Sequence, residues 1–185
     1  MMTELSLNLL DVAENGVRAG ATLIRIGIDT DTEKDRLIMT ISDNGCGMSE
    51  EQVRAVTDPF FTTRTTRKVG LGVPFFKMAA EITGGSFRID SVPGKGTDVI
   101  AEFVYSSIDR APLGDVEETM VTLISGSPDI DFVYEYSFNG KSCTLDTREV
   151  RQMLEGVPLD TPEVISFLRD YLKENRKAVD SGAVY

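Results

Sequence analysis

Four close glycine pairs divide the first hundred residues: Gly45/Gly47, Gly70/Gly72, Gly84/Gly85 and Gly94/Gly96. Glycine tolerates left-handed backbone and close approaches that other residues do not, so such pairs mark sharp turns or places where a ligand nears the main chain. The segments between them are short and change hydrophobic period. Leu9, Leu10, Ala13, Gly16 and Val17 recur at helical spacing and predict a helix over Leu5 to Arg18. Asn8, Asp11, Asn15 and Arg18 form one polar stripe along it. Ile24, Ile26 and Ile28 alternate within Ala21 to Asp29, and Leu37, Met39 and Ile41 within Arg36 to Ser42, so two strands are expected. The turn between them carries Asp29, Asp31 and Glu33, but Lys34 stands where a calcium loop needs glycine.

Ser49 followed by Gln52 is a capping-box signal for a short helix to about Val56. Thr57 to Val69 reads as an irregular loop. Gly70-Leu71-Gly72 opens a second helix that ends at Gly84-Gly85, and strands follow at Ser86 to Val92 and Thr97 to Tyr105. Ser106 to Asp115 reads as a linker and Glu117 to Ile124 as a strand. Asp131 to Phe138 and Lys141 to Asp146 form a hairpin at Asn139-Gly140. Two helices are expected to close the chain, one from near Asp146 and one from Thr161-Pro162 to about Lys177.

Composition removes several chemistries. No histidine occurs, which excludes histidine bases, histidine metal ligands and phosphohistidine within this sequence. Cys46 and Cys143 lack metal-type spacing, and a reducing, cytoplasmic setting is expected. The formal net charge of -11 argues against polyanionic partners, so neither nucleic acid nor membrane is expected. Against that background Arg64, Arg67, Lys68 and Lys77 form a basic island without an acidic residue between Pro59 and Ala80. The island contains a glycine pair before a helix, where free N–H groups and the helix dipole favour an anion. A Walker loop is absent, because Gly94-Lys95 runs into Gly96 and Ile89 replaces the first glycine. The dinucleotide fingerprint also fails, because Gly70-Leu71-Gly72 has no third glycine and follows a loop.

Four blocks taken together resemble a known family. Asp11…Asn15, Asp43-x-Gly45-x-Gly47, Pro59-Phe60-Phe61-Thr62-Thr63-Arg64 with Gly70-Leu71-Gly72, and Gly94-Lys95-Gly96-Thr97 follow the order and spacing of the GHKL ATPases. That superfamily includes sensor histidine kinases, DNA gyrase, Hsp90-type chaperones and MutL-type repair ATPases. The resemblance covers about Leu5 to Tyr105. It implies an α+β two-layer sandwich with a mixed sheet and a bound ATP with Mg2+. A nucleotide-binding domain is expected over residues 1–105, and a C-terminal extension over 106–185 that serves a protein partner.

Carried onto this sequence, the resemblance makes Asn15 the Mg2+ ligand, since hard cations prefer oxygen. Asp43 would accept the adenine amino group, and Thr97 would support that contact directly or through water. Gly45 and Gly47 would make room for the base beside Met48. Phe60, Thr62, Thr63, Arg64, Arg67 and Lys68 would lie in a lid. Gly70, Leu71 and Gly72 would bring backbone N–H groups to the phosphates. Asp11 takes the position of the general base, which is glutamate in hydrolytic members. The shorter side chain implies slow hydrolysis, because misplacing a reacting group by roughly an ångström costs on the order of a hundredfold. Three activities therefore remain open: slow ATP hydrolysis coupled to a partner, phosphoryl transfer in trans to serine, threonine or histidine of another protein, and nucleotide sensing without turnover. Autophosphorylation in cis is not expected, with no histidine and no phosphoacceptor segment before Leu5.

Overall fold

Strands with one apolar side must pair so that those sides coincide, and the register does this throughout. In the computed structural model, which describes residues 3–57 and 72–181, β1 (Leu23–Asp31) pairs antiparallel with β2 (Arg36–Asp43). Ile26 lies opposite Ile41 and Ile28 opposite Met39. β3 (Ser86–Val92) and β4 (Gly96–Val104) continue the sheet beyond β2, with Met39 opposite Ala101 and Leu37 opposite Phe103. On the other side β5 (Asp131–Phe138) runs parallel to β1, setting Phe132, Tyr134 and Tyr136 beside the three isoleucines, and β6 (Lys141–Asp146) forms the far edge. The six-stranded order is β3-β4-β2-β1-β5-β6. All the apolar side chains named on β1, β2, β4 and β5 are buried.

The helices that cover this face are α1 (Leu5–Arg18), α3 (Gly72–Glu81), α4 (Val116–Gly126) and α6 (Pro162–Asp180). They contribute Leu9, Val12, Phe76, Ala80, Met120, Ile124, Leu168 and Leu172 to one continuous core. α2 (Glu50–Thr57) and α5 (Thr147–Met153) are shorter. The result is the expected α+β sandwich with a mixed sheet. The capping box before α2 forms in both directions: Ser49 N–H donates to Gln52 Oε1 at 2.8 Å, and Gln52 N–H donates to Ser49 Oγ at 3.3 Å.

One element departs from the sequence reading. Glu117 to Ile124, expected as a strand, lies in α4. Val116, Met120, Val121, Leu123 and Ile124 are buried at helical spacing, and Asp115 caps the helix by accepting the Glu118 N–H at 2.8 Å. The valine, threonine and isoleucine content suggested β structure, but here the cap and the buried stripe outweigh propensity.

Residues 106–115 form no helix or strand, yet they are anchored. Pro112 and Leu113 carbonyls accept the N–H groups of Leu5 and Ser6, each at 2.9 Å, at a helix start where Glu4 provides no side-chain cap. These bonds satisfy two of the donors that a helix N-terminus leaves free. Residues 106–181 share the sheet through β5 and β6, and α4 packs against α1. No described helix is long and apolar enough to cross a membrane.

Candidate functional site

The polar stripe of α1 is graded rather than uniformly exposed. Asn8 is buried with its Oδ1 unpartnered, Asp11 and Asn15 are half-buried, and Arg18 is exposed and paired with Glu14. The half-buried pair lies between two close approaches. A Cβ added at Gly72, the first residue of α3, would stand 2.6 Å from Asp11 Cβ and 3.2 Å from its Oδ2. The described start of α3 therefore sits directly against the Asp11 carboxylate. At the other end, a Cβ at Gly16 would stand 2.9 Å from Asp43 Cβ. Asn15 is the neighbour of Gly16 in sequence, so Asp11, Asn15, Gly72 and Asp43 are brought together along α1.

Asp43 ends β2 and lies opposite Thr97 of β4. Its Oδ1 accepts the Gly45 N–H at 2.8 Å. Burial pushes the Asp43 carboxyl above its ordinary value; the Gly45 and Thr97 N–H groups oppose that shift, and the nearby Asp98 charge adds to it. Asp11 is also raised, chiefly by burial and then by the Glu14 charge, against the pull of Arg18. Two carboxylates held above the normal range in a half-buried setting are a common signature of a binding or reacting site.

The turn after Asp43 is clamped from several sides. Asn44 Oδ1 accepts the N–H groups of Thr22 and Leu23 at 2.8 and 2.9 Å. The Cys46 N–H donates to the Ala19 carbonyl at 2.9 Å, and the Gly94 N–H donates to the Cys46 carbonyl at 2.7 Å. Two glycines are obligatory by geometry. Gly47 has φ +62° and Gly96 φ +113°, and a side chain there would run into the carbonyls of Val92 and Asp43 respectively. Gly45 leaves space between Ala19 and Asp43. Met48 is half-buried, and its N–H donates to Ser91 Oγ at 2.8 Å.

A model for histidine kinase-, DNA gyrase B- and HSP90-like ATPases matches residues 1–106. The chain belongs to this ATPase family. Similar curated proteins include a putative sensor protein of Shewanella frigidimarina, 34% identical over 103 residues that make up 55% of this chain and 16% of that protein. The sensor protein kinase FleS of Pseudomonas aeruginosa is 34% identical over 110 residues, 60% of this chain and 27% of the kinase. The chain thus spans between a sixth and about a quarter of the length of these relatives. Among solved structures, the Aquifex aeolicus MutL ATPase domain complexed with ADP superposes with a TM-score of 0.51 at 13% identity, covering 92% of this chain and 88% of that one. The N-terminal domain of a DNA repair protein gives 0.53 at 15% identity, covering 78% and 53%. These likenesses extend the ATPase-family fold beyond residue 106, into the part of the chain that the family model leaves unmatched.

Of the residues singled out in the sequence for the ATPase site, Asp11, Asn15, Asp43, Gly45, Gly47, Met48, Gly72 and Thr97 are described, and they gather around α1, the Asp43 turn and the start of α3. Phe60, Thr62, Thr63, Arg64, Arg67, Lys68, Gly70 and Leu71 lie outside the described residues. Two neighbours of these residues drew no notice as site residues in the sequence. Gly16 appeared only as a core-facing position, although a glycine in mid-helix beside Asn15 is itself a signal of close packing. Ser91 gave no sequence signal; β3 delivers it through cross-strand pairing opposite Thr97.

Proposed function

We propose that this ATPase-family chain binds ATP with Mg2+ between α1, the Asp43 turn and the N-terminus of α3, and hydrolyses it slowly or uses it to regulate a protein partner. The observation that carries this reading is the double apposition along α1, Gly16 against Asp43 and Gly72 against Asp11. Asp43 offers a carboxylate acceptor suited to an exocyclic amino group. Within the described residues the Asn15 amide has no hydrogen-bond partner, so its oxygen is available to a hard cation such as Mg2+, which would neutralise phosphate charge. The α3 N-terminus supplies N–H donors and a favourable dipole for phosphate oxygens. The donor set therefore fits a magnesium nucleotide. The ADP bound by the MutL domain of similar fold agrees with this reading.

Asp11 is the general-base candidate, within contact of the phosphate-facing helix start and raised in pKa, which suits proton acceptance from water or a hydroxyl. We take residues 1–105 as the nucleotide-binding part and 106–185 as the part that meets a partner. The contact of α4 with α1 supports that assignment, since α1 carries Asp11 and Asn15. Calorimetric titration with magnesium ATP, followed by incubation with γ-labelled ATP with and without cell extract, tests the proposal. Binding with slow release of labelled phosphate supports it. Label on an extract protein would assign phosphoryl transfer in trans, and no heat with any adenine nucleotide would refute the site.

A further inference from the structure

Ser91, on β3, lies opposite Thr97 and beside the Asp43 turn. Its hydroxyl has three close polar neighbours. The Met48 N–H lies 2.8 Å away, the Gly96 carbonyl 2.9 Å and the Thr97 hydroxyl 2.8 Å. A hydroxyl carries one proton and two lone pairs. Met48 can only donate, so it takes one lone pair. Gly96 can only accept, so it takes the Ser91 proton. The remaining lone pair faces Thr97, and the contact is a hydrogen bond only if Thr97 donates. If Ser91 donated to Thr97 instead, the Gly96 carbonyl would face a lone pair at 2.9 Å. Ser91 is thus saturated, and the direction of all three bonds is determined.

This direction has a chemical consequence for Thr97. Its single proton points at Ser91, so it presents only lone pairs to any other neighbour. Asp43, its cross-strand partner, likewise presents only acceptor oxygens when ionised. We propose that Ser91 is a positioning residue for base recognition: it turns the Thr97 hydroxyl so that acceptor sites face the base, and it ties Met48 to β3 beside it. The pair then selects a base edge that brings hydrogens, from an exocyclic amino group or from water bound to a ring nitrogen. This inference rests on the ATP reading above and extends it to a residue that does not itself touch the nucleotide.

The test is a double-mutant cycle on ATP affinity, with melting temperature followed in parallel. Ser91→Ala and Thr97→Val are each expected to weaken ATP binding about tenfold, the cost of losing one part-buried hydrogen-bond partner. The double variant is expected to lose about tenfold as well, since Thr97 contributes only when Ser91 orients it. Ser91→Thr, which keeps a hydroxyl, is expected to restore affinity. A purely structural role for Ser91 would make the losses multiply to about a hundredfold; that result, or wild-type affinity in Ser91→Ala, overturns the proposal. A second measurement needs no nucleotide. In the free protein the Thr97 hydroxyl proton should exchange slowly and show a nuclear Overhauser contact to Ser91 that disappears in Ser91→Ala; rapid exchange in the wild type overturns the bond direction. A wild type that keeps this proton but binds no ATP would refute the nucleotide reading, and with it the role of Ser91 in recognition, while leaving the hydroxyl geometry intact.

Discussion

Replacing Asp43 by asparagine separates recognition from stability. The carboxylate has two acceptor oxygens, and one of them is committed to the Gly45 N–H at 2.8 Å. Asparagine has a single carbonyl oxygen. If that oxygen keeps the Gly45 bond, the NH2 group takes the place of the second oxygen and turns a donor toward the base. An adenine amino group then meets a donor where it had an acceptor. A hydrogen bond to a charged group contributes about 1.5–3 kcal/mol, so ATP affinity should fall roughly 10- to 150-fold. The same NH2 group suits the carbonyl oxygen of hypoxanthine, so the ratio of ATP to ITP affinity should fall further. Stability should move the other way. Burial raises the Asp43 carboxyl above its unfolded value, so the folded protein holds the proton more tightly. Its contribution therefore falls as pH rises from the unfolded value through the folded one, and stays unfavourable at neutral pH. Asp43→Asn removes that penalty and should be at least as stable as the wild type at pH 7, the advantage shrinking as pH falls toward about 4 and gone below it. Calorimetry with ATP and ITP, with thermal melts at several pH values, measures both halves. Unchanged ATP affinity, or a loss of binding explained by a collapsed melting temperature, would refute the reasoning.

Further outcomes follow from the same geometry. Gly16→Ala adds a Cβ 2.9 Å from Asp43 Cβ and 3.3 Å from Ile24 Cδ1; overpacking of about 1–3 kcal/mol is partly offset by about 1 kcal/mol of helix propensity, so the melting temperature should fall by a few degrees, about 8 °C at most, while ATP affinity falls. Asp11→Glu should raise phosphate release at least tenfold if turnover is limited by the reach of the side chain, and Asp11→Asn should abolish it. Arg176 bonds both oxygens of Glu117 at 3.0 and 3.1 Å and Asp180 at 3.2 Å, and both carboxylates are almost fully buried. Arg176→Met leaves them without that cation and should cost about 3–5 kcal/mol in urea unfolding.

The local elements were legible because their signals are local. The Leu5–Arg18 helix, the alternating strands, the Ser49/Gln52 capping box and the Asn139-Gly140 hairpin each depend on residues within a few positions of one another. α4 was misread where strand propensity and helical burial competed, and contacts with α1 and α6 favoured the helix.

By itself the sequence determined the inventory: which residues could hold a metal, read a base or bend the chain, and in what order. Only the tertiary structure decided which of them meet. Asp43 reaches Gly16 because β2 ends beside the last turns of α1, and Asp11 reaches Gly72 because α3 begins there. Ser91 and Thr97 face each other only because β3 and β4 pair in that register. Proximity of residues tens of positions apart depends on how sheet and helices pack as a whole, and no short stretch of the chain carries that information.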